Sequence, residues 1–170
     1  IIDDKSYLHI DVGGGSTELN IYSNREKVAT KSFKIGSVRA LEEEIPTSVW
    51  NSMGKFIADH ISQKDQIICI GTGGNINKIF ELSKPMKNQR FLTIEKIKEV
   101  QNHLESFTIE ERINKLNLNP DRADVIIPAS KIYLAAMEAS ASKKMILPDL
   151  GLKDGIMQVL YRKTRNKKPK

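Results

Sequence analysis

Leu19 and Ile21 alternate with polar neighbours along residues 17–23, the period-two pattern of a half-buried strand. Just before them Tyr7-Leu8-His9-Ile10 is apolar and β-favouring. With a further extended run, the chain predicts strands near 6–12, 17–23 and 27–35. A glycine turn and then Ser23-Asn24-Arg25-Glu26 join them, and links this short force antiparallel pairing as a meander. Gly36 ends the third strand, and Ser37 is placed to cap a short helix through Glu44. Trp50, Met53, Phe56 and Ile57 recur at helical spacing and predict a helix over 47–62, with Thr47 as its N-cap. This stripe reads as core, not as a cofactor site.

Residues 66–70, apolar from Ile67 onward, read as a buried strand. Helical patterns follow at Ile76, Ile79, Phe80 and Leu82, then over 94–105, 109–115 and 121–141, the last with a kink at Pro128. Lys144 to Pro148 reads as a short fifth strand, and a final helix ends near Tyr161. A meander followed by alternating helices and strands is an α/β lobe with a mixed sheet. In such sheets ligands gather at the carboxyl ends of parallel strands. Glycine clusters fall just past strand ends at 13–15 and 71–74, and Gly151 and Gly155 follow the last strand.

Composition narrows the class. The chain has 170 residues, 39% hydrophobic and 28% charged, as in a soluble globular protein. No apolar run approaches the length needed to cross a membrane, and no signal peptide is visible. The chain opens on Ile1, which suggests a fragment cut at a domain boundary. Its single cysteine, Cys69, lies in Ile67-Ile68-Cys69-Ile70 and reads as a small core hydrophobe, consistent with a reducing, cytoplasmic setting. The net charge of +6 belongs to the tail. Arg162, Lys163, Arg165, Lys167, Lys168 and Lys170 account for the excess and leave 21 basic against 21 acidic residues. Residues 162–170 read as a solvated, disordered tail; the competing reading is a tether for a polyanion such as polyphosphate or RNA.

The densest chemistry lies at 11–18, Asp11-Val12-Gly13-Gly14-Gly15-Ser16-Thr17-Glu18. A glycine turn between antiparallel strands can lay backbone N–H groups against a phosphate. A carboxylate at each end is suited to hold a divalent cation on that phosphate. The geometry is not that of a P-loop, since no G-x-x-x-x-G-K-[ST] segment occurs. Nor is it a dinucleotide turn, since a strand and not a helix follows the first cluster. His9, His60 and His103 show no metal-ligand spacing and read as surface or packed residues, and no G-x-S-x-G elbow supports a serine triad.

The 11–19 segment resembles the signature of the exopolyphosphatase / guanosine pentaphosphate phosphohydrolase (Ppx/GppA) family. Gly36-Ser37-Val38-Arg39-Ala40-Leu41, Ile70-Gly71-Thr72-Gly73-Gly74-Asn75, Arg122 to Pro128 and Gly151 to Gly155 resemble further family segments in the same order. Four positions depart from the family's habit: Asn75 for threonine, Ala129 for glycine, and Lys153-Asp154 for Arg-Glu. Lysine keeps the charge but not arginine's bidentate fork.

The resemblance implies the second lobe of a two-lobed protein over residues 1–161, of the actin-like ATPase (ribonuclease H-like) type. That lobe has a mixed five-stranded sheet with an antiparallel three-strand meander and helices on both faces. It also implies that Asp11 and Glu18 bind Mg²⁺ (or Mn²⁺) and help orient the attacking water. Gly13, Gly14, Gly15, Ser16 and Thr17, with Gly71, Thr72, Gly73, Gly74 and Asn75, would hold phosphoryl oxygens. Arg39 would add a charge-assisted contact. The general base would sit on the first lobe, outside this chain. The full-length protein would release terminal phosphate from polyphosphate or pppGpp. The alternatives are a non-catalytic sensor of those ligands and an actin-like kinase lobe. The partners implied are the substrate and the missing N-terminal lobe; a homodimer stays open, and neither a membrane nor nucleic acid is expected.

Overall fold

The structure, a computed structural model, describes residues 4–61 and 67–148. Strands β1 (Tyr7–Val12), β2 (Thr17–Ser23) and β3 (Glu26–Phe33) come first. Helices α1 (Arg39–Glu42) and α2 (Thr47–His60), strand β4 (Ile68–Thr72) and helix α3 (Gly74–Leu82) follow. Next come strand β5 (Phe91–Thr93) and helices α4 (Ile94–Glu105), α5 (Ile109–Leu116), α6 (Pro120–Ala123) and α7 (Ile126–Ala139). Strand β6 (Lys144–Ile146) is the last described element. The expected 151–155 loop, final helix and basic tail lie outside the described residues.

The meander pairs as its short turns require: β1 with β2 and β2 with β3, all antiparallel. β4 then adds parallel to β1, and β6 parallel to β4, giving the sheet order β3-β2-β1-β4-β6-β5. Leu8 pairs with Ile21 and Ile10 with Leu19, so one face of the meander is apolar. These four side chains are fully buried. Each such burial stabilises the fold by about 1.5–3 kcal/mol relative to exposure. Helices α2, α3 and α7 pack on this side, with Phe56 of α2 edge-on to Phe33 at 5.7 Å between ring centroids. Helix α7 is apolar nearly all round, as a helix enclosed by its neighbours must be.

The sheet has six strands among the described residues where five were expected. The sixth, β5, is three residues long and pairs antiparallel with β6. It is too short to show a period. Its last residue, Thr93, also caps α4, accepting a hydrogen bond from the Lys96 N–H at 3.2 Å. The expected helix over 121–141 is two helices. The break falls at Asp124 and Val125, and Pro128 causes no kink. Pro128 is the third residue of α7, where a backbone N–H would have no intrahelical acceptor to lose. Two expected caps differ as well. Thr47 is inside α2, with Pro46 at the cap position. Ser37 caps nothing, because it is engaged by the first glycine turn.

Gly71 lies in β4 on the core side, and a Cβ there would collide with Met145 Sδ and press on Ile76 Cγ1 at 3.2 Å. Gly71→Ala is expected to destabilise the protein by about 1–3 kcal/mol through overpacking. Trimming the buried Met145 to Ala should cost less in the Gly71→Ala protein than in the parent, because the two substitutions share one space. Urea unfolding of the single and double variants measures both effects.

Candidate active site

The first glycine turn is shaped by where its carbonyls go. Gly13 O accepts from the Ser37 N–H at 2.9 Å and from Ser37 Oγ at 3.4 Å. Gly14 O accepts from the N–H groups of Val38 and Arg39 at 2.9 and 3.0 Å. Gly15 O accepts from Arg39 Nε at 3.0 Å. In a trans peptide each C=O is antiparallel to the next N–H. With the Gly13 and Gly14 carbonyls turned onto residues 37–39, the N–H groups of Gly14 and Gly15 point the opposite way. Neither meets a protein acceptor among the described residues. Adjacent outward N–H groups make an anion-binding concavity. Gly36 lets the two segments close: a Cβ there would overlap the Gly14 carbonyl and stand 2.5 Å from the Ser16 nitrogen. Gly15 is different, since a Cβ there meets nothing within 4 Å. Packing gives no reason for its being glycine; an open approach to a ligand does.

The second glycine segment is shorter than its sequence suggests. Gly71 and Thr72 belong to β4, and Gly74 and Asn75 to the first turn of α3. Gly73 alone makes the bend, at φ 115°, a conformation that L side chains rarely adopt. Strand β4 thus feeds directly into the N-terminus of α3, whose first N–H groups have no intrahelical acceptor. Tyr133, from α7 below, donates its hydroxyl to the Thr72 carbonyl at 2.6 Å and fixes this corner. Burial pushes the Tyr133 phenol well above its ordinary pKa, so it stays a donor. Arg122 donates to the Gly74 carbonyl, and its guanidinium would lie 2.7 Å from any Cβ on Gly74. The buried Arg112 steadies the neighbouring residue by donating from Nη1 to Ala123 O at 3.0 Å.

The two segments meet. Asp11 pairs with Glu18 across β1 and β2, and with Thr72 across β1 and β4. Asp11 Oδ1 is 3.6 Å from where a Cβ of Gly73 would stand. Directly paired residues on antiparallel strands point to the same face, so both carboxylates face one side. Neither forms an ion pair among the described residues. Opposed like charges destabilise a sheet unless something neutralises them. Hard oxygen donors in this number suit Mg²⁺, which takes one or two carboxylates and fills the remainder with water and phosphate oxygens. The donor set therefore fits the expected ion.

On the same face four side chains form one hydrogen-bonded row across four strands. Thr30 Oγ1 donates to Asn20 Oδ1 at 2.8 Å, and Asn20 Nδ2 lies 3.2 Å from His9 Nδ1. His9 Nε2 lies 2.9 Å from Thr72 Oγ1. Burial lowers the His9 pKa below its ordinary value, against the opposing pull of Asp11 and Glu18. The imidazole is therefore neutral at pH 7.

Two expected site residues need correction. The Thr17 side chain is fully buried on the core face, its hydroxyl donating to Ile35 O at 2.6 Å, so it braces the turn and is unavailable to phosphate. Period-two alternation puts it there, one position from Glu18. Gly71 is likewise a packing residue, buried against Met145. Asp11, Gly13 to Ser16, Glu18, Thr72, Gly73, Gly74 and Asn75 do come together around the ends of β1 and β4. Arg39 joins the rim of the first turn, also paired with Glu43 at 2.6 Å. His9, Asn20 and Tyr133 were not anticipated as parts of the site. The pairing of His9 with Asn20 was the one available signal, and it emerges only once the hairpin register is known.

A mixed sheet of this order, with glycine segments at the ends of adjacent parallel strands, defines an actin-like α/β lobe. A profile of the Ppx/GppA phosphatase family matches residues 1–164, and the chain belongs to that family. It is 25% identical over 173 residues to a guanosine-5'-triphosphate,3'-diphosphate pyrophosphatase of Pseudoalteromonas translucida, covering 95% of this chain and 35% of that protein. It is 27% identical over 176 residues to the protein of that name from Vibrio cholerae, covering 93% and 34%. The chain thus spans about a third of the length of these curated relatives. The fold matches the crystal structure of the Aquifex aeolicus Ppx/GppA family member with a TM-score of 0.72 at 24% identity, over 94% of this chain and 57% of that one. An exopolyphosphatase from Cytophaga hutchinsonii matches with a TM-score of 0.70 at 18% identity, over 95% and 59%.

Thr17→Val leaves the Ile35 carbonyl without its buried donor. It is expected to cost about 1–3 kcal/mol of stability while leaving the affinity for inorganic phosphate unchanged. Chemical denaturation and calorimetric titration with phosphate check the two halves of that statement.

Proposed function

We propose that this chain is the phosphate- and cation-holding lobe of a phosphoanhydride hydrolase that releases terminal phosphate from polyphosphate or pppGpp. The observation that carries the reading is the opposed, unpaired Asp11–Glu18 couple beside two backbone N–H cradles. Phosphoryl transfer demands positioning and charge neutralisation more than covalent chemistry from the protein. The N–H groups of Gly14 and Gly15 and the N-terminus of α3 supply fixed donors for phosphoryl oxygens. Glycine at 15 keeps the approach open. Asp11 is mounted at the end of a central strand, and Glu18 faces it across the hairpin. A divalent ion held by these carboxylates would offset charge on the phosphate oxygens. His9 has both ring nitrogens engaged and is not the general base, which this reading assigns to the other lobe. The names of the curated relatives support pppGpp as substrate, and the exopolyphosphatase among the matched structures supports polyphosphate. The reading includes a cytoplasmic setting, and no described helix is long and apolar enough to cross a membrane.

In the full-length protein, Glu18→Gln should raise the melting temperature measured without divalent ions, because it removes the like-charge opposition. It should also remove most of the further rise produced by Mg²⁺, and lower phosphate release by roughly tenfold or more. A parent-like response to Mg²⁺ would take the ion away from this site, and parent-like turnover would sink the hydrolase role. Binding of pppGpp or polyphosphate without phosphate release would favour a sensor. Nucleotide-dependent phosphorylation of an acceptor would favour a kinase.

Gly15→Val should fold with stability within about 0.5 kcal/mol of the parent, since the added atoms meet open space. Its affinity for inorganic phosphate should nevertheless fall. Thermal unfolding and phosphate titration of the same preparation decide it.

A further inference from the structure

The row Thr30–Asn20–His9–Thr72 crosses β3, β2, β1 and β4 in order and ends on Thr72, between Asp11 and Gly73. Its hydrogen bonds have a direction. Thr30 Oγ1 donates to Asn20 Oδ1, so the Asn20 amide nitrogen faces His9. That nitrogen is a donor, so His9 Nδ1 accepts and the ring proton sits on Nε2. Nε2–H then donates to Thr72 Oγ1, and the Thr72 hydroxyl hydrogen must point away from the ring. No protein acceptor takes that hydrogen among the described residues. The backbone of Thr72 is held at the same time, through its carbonyl, by Tyr133. A threonine fixed by its side-chain oxygen and by its main chain, with one donor left over at the mouth of an anion cradle, is pre-organised to bind an oxyanion.

We propose that His9 is a positioning residue: braced by Asn20 and Thr30, it holds the Thr72 hydroxyl as a hydrogen-bond donor to a phosphoryl oxygen. The role rests on the phosphate-site reading above. It does not involve proton transfer by the imidazole.

The test is a double-variant cycle in the full-length protein with inorganic phosphate as the probe, read by calorimetry at fixed Mg²⁺. His9→Leu and Thr72→Val should each weaken phosphate binding roughly three- to tenfold, the range for loss of one oriented hydrogen bond. The double variant should bind no more weakly than Thr72→Val alone, because His9 acts through Thr72. His9→Gln, which keeps a donor, should recover most of the affinity. Should His9→Leu fail to fold by circular dichroism, Asn20→Leu asks the same question one residue further along the row. Unchanged affinity on removing His9 or Asn20, or losses that multiply in the double variant, would overturn the role of His9 while leaving the site intact. If Gly15→Val and Thr72→Val both bind phosphate as the parent does, the site reading itself fails and takes this role with it.

Discussion

Everything at this site depends on where the carbonyls of Gly13, Gly14 and Gly15 point. A glycine turn has no intrinsic preference for anions. With its carbonyls facing outward it would attract cations instead. Residues 37–39 decide the matter by presenting two main-chain N–H groups to Gly14 O, one to Gly13 O, and the Arg39 side chain to Gly15 O. The planar peptide then turns the intervening N–H groups outward. This explains why Gly36 must lack a side chain and why Ser37 faces the turn and not a helix end. The sign of the cradle is set by a segment more than twenty residues away.

The acidic couple follows from the same construction. Its cost is modest, because opposed like charges on a sheet are worth a fraction of a kcal/mol to about 1 kcal/mol. A single buried core side chain offsets it. The protein can therefore keep two carboxylates face to face beside an anion cradle. In the proposed function that combination suits a cation and a phosphate together, each neutralising what the other leaves unpaired.

Much of this architecture could be read from the chain. Strands β1 and β2, α4, and the Met53–Phe56–Ile57 face of α2 stand where apolar periodicity puts them, because burial enforces periodicity over six or more residues. β5 escaped notice because three residues carry no period. The sequence offers Pro128 as the visible irregularity in one helix over 121–141, whereas the break falls at Asp124 and Val125, since a proline in the first turn of a helix disrupts nothing. Around the candidate site, the motif at 11–18 marks the glycine turn and the two carboxylates that the strand pairing sets opposite each other. It could not separate Ser16 from Thr17, since both are small hydroxyl residues in one motif. Only the pleat shows that Thr17 turns inward to Ile35. Tyr133 reaches the site from a helix sixty residues on, and nothing local in Ile132-Tyr133-Leu134 hints at its hydroxyl's acceptor.

His9 and Asn20 show how closely core and site are tied. Leu8 and Ile10 face the helices, so His9 and Asp11 must face the other way. Leu19 and Ile21 do the same for Glu18 and Asn20, and Cys69 and Gly71 for Thr72. One alternation therefore specifies the buried face and assembles the polar one. A slip of one residue between β1 and β2 would bury Asp11 and expose Ile10 in a single step, losing several kcal/mol of apolar burial on every strand involved. The hydrophobic core thus guards the register of the candidate site. Residues on the polar face, such as His9 and Asn20, can change without disturbing the apolar row that holds them in place.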